Sequence, residues 1–122
     1  MTIAEGRRKV QKTQASPLLL ELTGRAIEWA GHPFVGLHHV RGHGTTQRFQ
    51  IDKFRSFWLW DTGVLSVGPA PTRCTFLVPE EHDKLLTRGA DVGMHLGFPE
   101  LASAVYIMLG FHHKELTPRV RR

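Results

Sequence analysis

The chain has 122 residues, of which 41% are hydrophobic and 22% charged, with a formal net charge of +5. That length suits one domain around a single core, and the balance of apolar and charged residues excludes an intrinsically disordered chain. A lone cysteine excludes an intramolecular disulfide and a multi-cysteine metal cage, and fits a reducing, cytoplasmic setting.

The opening stretch "MTIAEGRRKVQKTQ" has no apolar segment of the kind a secretory signal needs. Residues 1–16 hold Arg7, Arg8, Lys9 and Lys12 against Glu5, and residues 112–122 hold Lys114, Arg119, Arg121 and Arg122 against Glu115. The stretch between is close to neutral, so the basicity lies in the two ends. Residues 1–15 read as a flexible basic lead-in, 16–114 as a single α+β domain and 115–122 as a basic tail. Arg7, Arg8, Lys9, Arg119, Arg121 and Arg122 are the candidate contacts for a polyanion.

"SPLLLELTGRAIEWAG" predicts a helix. Ser16 can cap it, Pro17 suits its first turn, and Gly31 can end it. Leu19, Leu22, Ala26 and Trp29 recur at helical spacing along one face.

From residue 34 the pattern changes to five short β-like runs, at 34–41, 46–51, 54–60, 64–67 and 73–78. The breaks between them (GHGT, DK, DTG and GPAPT) are too short for parallel crossovers, so neighbouring strands should pair antiparallel. In the stretch 34–51, which covers the first two runs and the break between them, three histidines (His38, His39 and His43) fall within six positions. Side chains alternate along a strand, so His38 and His39 cannot both face one metal while the strand stays regular. With residues 43–45 as the loop, Leu37 pairs with Ile51 and His39 with Phe49. His39 then faces inward and His38 outward.

The run 54–60 carries Phe54, Trp58 and Trp60 on one side and Phe57 and Leu59 on the other. Both faces are apolar, so the strand should be covered on both sides. Cys74 lies among apolar neighbours with no base placed near it, which suits an inert core thiol.

"PEEHDKLLTRG" (79–89) predicts a short helix with Gly89 past its end, and His82–Asp83 on its solvated face. "VGMHLGF" (92–98) reads as a possible last strand carrying His95. "PELASAVYIMLGFHH" reads as a helix along Leu101, Val105, Met108 and His112, with a strand at 104–109 as the alternative. Its apolar run of 101–111 is too short to span a bilayer.

The predicted architecture is therefore an α+β fold: an N-terminal helix, an antiparallel sheet of five or six strands, and helices packed on one face. No dinucleotide-binding, P-loop, serine-hydrolase or zinc-protease motif is present, and no cofactor or metal is implied. The leading functional reading is a small binding or interaction domain. Its aromatic sheet face, with Phe49, Phe54, Trp58 and Trp60, would take an apolar ligand or a second copy of the chain as a homodimer. One alternative is a small enzyme using His39 or His95 as general acid or base, because histidine exchanges protons near neutral pH. Another is a nucleic-acid binder acting through the basic ends.

Overall fold

A computed structural model describes residues 14–116. Helix α1 (Pro17–Trp29) leads into strands β1 (Phe34–Val40), β2 (Gly44–Gln50), β3 (Ser56–Trp60), β4 (Leu65–Ala70) and β5 (Arg73–Phe76). Helices α2 (Pro79–Leu96) and α3 (Pro99–Leu116) follow. The strands form one antiparallel sheet in chain order, β1-β2-β3-β4-β5. The fold is α+β, as the pattern of runs and breaks predicted.

The first helix starts where its sequence says it should. Ser16 Oγ accepts the Leu19 N–H at 3.1 Å, and Pro17 occupies the first turn, where its missing N–H costs nothing. Leu22, Ala26 and Ile27 are buried at helical spacing. They share one core cluster with Leu85, Leu86 and Ala90 of α2, with Ala102, Val105 and Leu109 of α3, and with Phe49, Leu59 and Leu65 of the sheet.

The second helix is longer than expected. It runs through Gly89 and continues to Leu96, so 92–98 is not a strand and the sheet has five members. Gly89 is there for contact and not for termination. A Cβ at this position would lie 1.9 Å from the Ala26 carbonyl oxygen, so glycine lets α1 and α2 touch backbone to backbone. One turn on, a Cβ at Gly93 would lie 2.5 Å from the Trp29 ring, which also stacks on Phe98 with centroids 5.7 Å apart. Residues 99–116 are helical, which removes the alternative of a strand at 104–109.

The first hairpin departs from the expected register. Val40 pairs with Gly44, His39 with Thr45 and Leu37 with Gln47. The turn is built on Arg41 and Gly42, closed by the His43 N–H on the Val40 carbonyl at 2.8 Å. Gly42 has φ +83° and Gly44 has φ +112°, conformations that side-chain-bearing residues avoid. Glycine placement therefore set the turn, where hydrophobic matching alone pointed to a loop at 43–45. Asp61 fixes the result: its Oδ2 accepts the Thr45 N–H at 3.1 Å, and its own N–H donates to the Thr45 carbonyl at 2.9 Å. A bulge between Phe34 and Gly36 then brings Phe34 back opposite Phe49, ring centroids 5.7 Å apart.

Candidate functional site

Register determines which side chains share a face. Phe57 pairs with Phe49 and Val67, and Leu59 with Gln47 and Leu65, so these residues face the core shared with the helices. Their neighbours Ser56, Trp58 and Trp60 point the other way, beside Thr46, Arg48 and Ser66. The expected alternation of Trp58 and Trp60 against Phe57 and Leu59 is thus present. Phe49, however, belongs to the helix-side core, and Phe54 lies in the bend before β3 with 77% of its surface exposed. Neither joins the tryptophans.

The tryptophan face is largely closed by its own chain. Trp58 is only 2% exposed. Its Nε1–H donates to the Gly68 carbonyl at 2.9 Å, the His38 ring meets it edge-on at 5.3 Å, and the Arg48 guanidinium lies 5.6 Å from its ring. Trp60 donates from Nε1 to Ser66 Oγ at 3.1 Å, and His43 lies 6.3 Å from its ring. Beyond Trp60 a cavity of about 410 Å³ opens, with Val64, Pro71, Cys74 and Phe76 in its walls. Its walls include residues from the β1–β2 turn and from β5 at the far edge, so this face is concave. Cys74 is not sealed in the core: it is half-buried beside the cavity, its thiol donating to the Pro71 carbonyl at 3.1 Å.

Between the two tryptophans the packing leaves one polar atom unpaired. Thr46 is fully buried, opposite His38 and Trp60, and its hydroxyl has no hydrogen-bond partner among the described residues. A buried unpaired hydroxyl costs about 1–3 kcal/mol. Thr46→Val keeps the shape and removes the hydroxyl, so it is expected to raise the melting temperature by a few degrees in a thermal scan. A fall would mean that the hydroxyl has a partner.

A second concavity, an open cleft of about 350 Å³, lies on the other side of the sheet between the strands and α2. Its floor is apolar: Ile51, Phe57, Val67 and Leu77 are each only half-buried, beside a buried Leu85. Its rim carries Arg55, Lys84, Arg88 and Glu81. The helix contributes residues 81, 84, 85 and 88, which is one stripe at helical spacing. His32, from the segment joining α1 to β1, completes the lining. Its ring meets Phe57 edge-on at 4.9 Å, and its Nδ1 lies 3.3 Å from the Gln50 carbonyl oxygen. A carbonyl only accepts, so Nδ1 carries the proton of this bond and Nε2 holds the lone pair of the neutral ring.

Burial pushes His32 below its ordinary value of 6.5, and the Arg88 charge adds to this, while the bond to Gln50 opposes both. The sign of the consequence follows. The neutral ring is favoured in the folded state, so the contribution to stability is complete above pH 6.5 and is lost as pH falls through the lowered folded value. Between about pH 8 and pH 5 the melting temperature of the parent protein should fall further than that of His32→Asn. Equal falls would place the acid sensitivity elsewhere.

The remaining sequence candidates are scattered. His39 is exposed, with Nδ1 3.4 Å from Thr45 Oγ1, and pairs with Thr45 instead of Phe49. His38 is the half-buried one, against Trp58; the register shift leaves each histidine on its expected face, but along β1 it is the tryptophan face that is covered, while Leu37 and His39 on the other face stay exposed. His95 is exposed in the last turn of α2 and not in a strand. The side chain of His112, and Arg7, Arg8, Lys9, Arg119, Arg121 and Arg122, lie outside the described residues. His82–Asp83 is not a solvated pair: Asp83 is buried, with its Oδ1 3.0 Å from His82 Nδ1. Among the described residues, no group of three or more His, Cys, Asp or Glu is placed to hold a metal, and no helix is long and apolar enough to cross a membrane. No family pattern fits this sequence, and neither curated proteins nor solved structures provide a match.

Proposed function

We propose that this is a small binding domain that takes an apolar ligand on the concave tryptophan face of its sheet. The observation that carries the reading is the cavity of about 410 Å³ beside Trp60. This volume is in the range of small-molecule sites, roughly 300–1,000 Å³. The indole N–H is already taken by Ser66 and the ring is only 9% exposed, so Trp60 closes one wall of the cavity without offering a polar handle. Val64 and Phe76, both substantially exposed, supply apolar surface at the rim. The single thiol at Cys74 fits a reducing, cytoplasmic setting for such a domain.

Cys74 makes the reading testable. A neutral fluorescent probe, N-phenylnaphthylamine, should bind and quench Trp60 by energy transfer, and alkylation of Cys74 with a maleimide should abolish that binding. Absence of binding, or equal binding after alkylation, would overturn the proposal. Sedimentation of the same samples addresses the second-copy reading: a dimer that Phe76→Ala dissociates would show that the cavity wall is an interface instead. The general acid–base alternative gains nothing from the exposed, separate positions of His39 and His95. The nucleic-acid alternative rests on terminal residues outside the described range.

A further inference from the structure

The cleft under α2 combines two features that ordinary surface grooves do not share. Its floor leaves four apolar side chains half-open, Ile51, Phe57, Val67 and Leu77, although a core would normally have closed over them. Its rim places Arg55, Lys84 and Arg88 around that floor against one carboxylate, Glu81. Glu81 is partly engaged, its Oε1 accepting the Val78 N–H at 3.3 Å at the start of α2. Arg55 has a loose, exposed partner in Asp52 at 3.7 Å. Lys84 and Arg88 have no ion-pair partner among the described residues. The rim thus carries three cations, one of them paired with Asp52, against the single carboxylate of Glu81.

From this juxtaposition we infer a second binding site, for a small organic anion: an apolar body against Phe57, Val67 and Leu77, and an acid group held by Arg88 and Lys84. The chemistry fits both halves. The floor gains burial in proportion to the apolar area covered, and the guanidinium of Arg88 suits a planar carboxylate or a phosphate through paired N–H donors. His32 adds a polar contact at the inner wall. With Nδ1–H committed to Gln50, its Nε2 is an acceptor, suited to a hydroxyl or N–H beside the ligand's acid group. The site is independent of the tryptophan cavity, because Phe57 and Val67 lie on the opposite face of the sheet from Trp60.

Calorimetric titration with naphthoate, with naphthyl phosphate and with the neutral naphthylmethanol tests the inference. Either acid should bind at least about ten times more tightly than the alcohol, the scale of a charge-assisted contact. Arg88→Gln and Lys84→Gln should each weaken acid binding several-fold and leave the melting temperature unchanged, since both side chains are exposed. The preferred acid distinguishes a carboxylate ligand from a phosphate one. In parallel, the imidazole carbon shift of His32 should report a rise in its titration midpoint when the acid is bound. Equal binding of acid and alcohol would overturn the site, as would acid binding unaffected by Arg88→Gln. Inorganic phosphate binding as tightly as the naphthyl acids would overturn the amphipathic class. Binding of naphthylmethanol abolished by alkylation of Cys74 and untouched by Arg88→Gln would report on the tryptophan cavity alone.

Discussion

Gly89→Ala is expected to cost about 3 kcal/mol or more, and to lower the melting temperature by roughly 10 °C for a domain of this size. The added methyl would sit 1.9 Å from the Ala26 carbonyl oxygen, inside the backbone of α1. No rotamer change relieves a clash with a main-chain atom, so α1 must move away from α2. That movement opens contacts of Leu22, Ala26 and Ile27 with Leu85, Leu86 and Ala90. Alanine is the better helix former by about 1 kcal/mol, so the local effect has the opposite sign and any loss reports the packing. Chemical denaturation of the two proteins decides it. Equal midpoints would show that the helices do not approach this closely.

The second large effect is expected at Trp58. Truncation to alanine should cost about 3–5 kcal/mol, because the ring is 2% exposed and its removal also strips the Gly68 carbonyl of its donor. Phe54→Ala is the matched control, at 77% exposure; it should change stability by less than about 0.5 kcal/mol. Both aromatics come from one short sequence run, so the contrast sets a buried ring against an exposed one from neighbouring positions. Similar midpoints for the two variants would contradict the burial of Trp58 by its own sheet.

Much of this architecture is legible in the amino-acid sequence. The strand runs and their turn residues predict an antiparallel sheet of five or six strands, of which five form, and the alternation of Phe57 and Leu59 with Trp58 and Trp60 assigns opposite faces. Other features are hidden for identifiable reasons. The hairpin register depends on where Gly42 and Gly44 can adopt positive φ and on a bulge after Phe34, and the apolar pattern outweighs these in a reading by hydrophobic matching. The end of α2 is obscured because Gly89 resembles a helix stop until the backbone of α1 is seen against it. Leu86, Gly89, Ala90 and Gly93 are spaced as one helical face, a signal that extends the helix when small residues are counted as packing residues. The basic cleft is harder still. His32, Arg55, Phe57, Val67 and Leu77 come from separate segments, and only the stripe Glu81, Lys84, Leu85 and Arg88 leaves a local trace.

The strict chain order of the sheet has a kinetic consequence. Each strand finds its neighbour immediately along the chain, so the four hairpins close short loops and lose little chain entropy in forming. Contacts of this local kind favour rapid assembly. The contact of Ala26 with Gly89 is different, because about half the chain separates the two residues. Docking of the first helix onto the second is then the long-range step, completed after the hairpins are in place. A substitution that perturbs only that contact should act mainly on the rate of unfolding, leaving hairpin formation and early refolding nearly as fast as before.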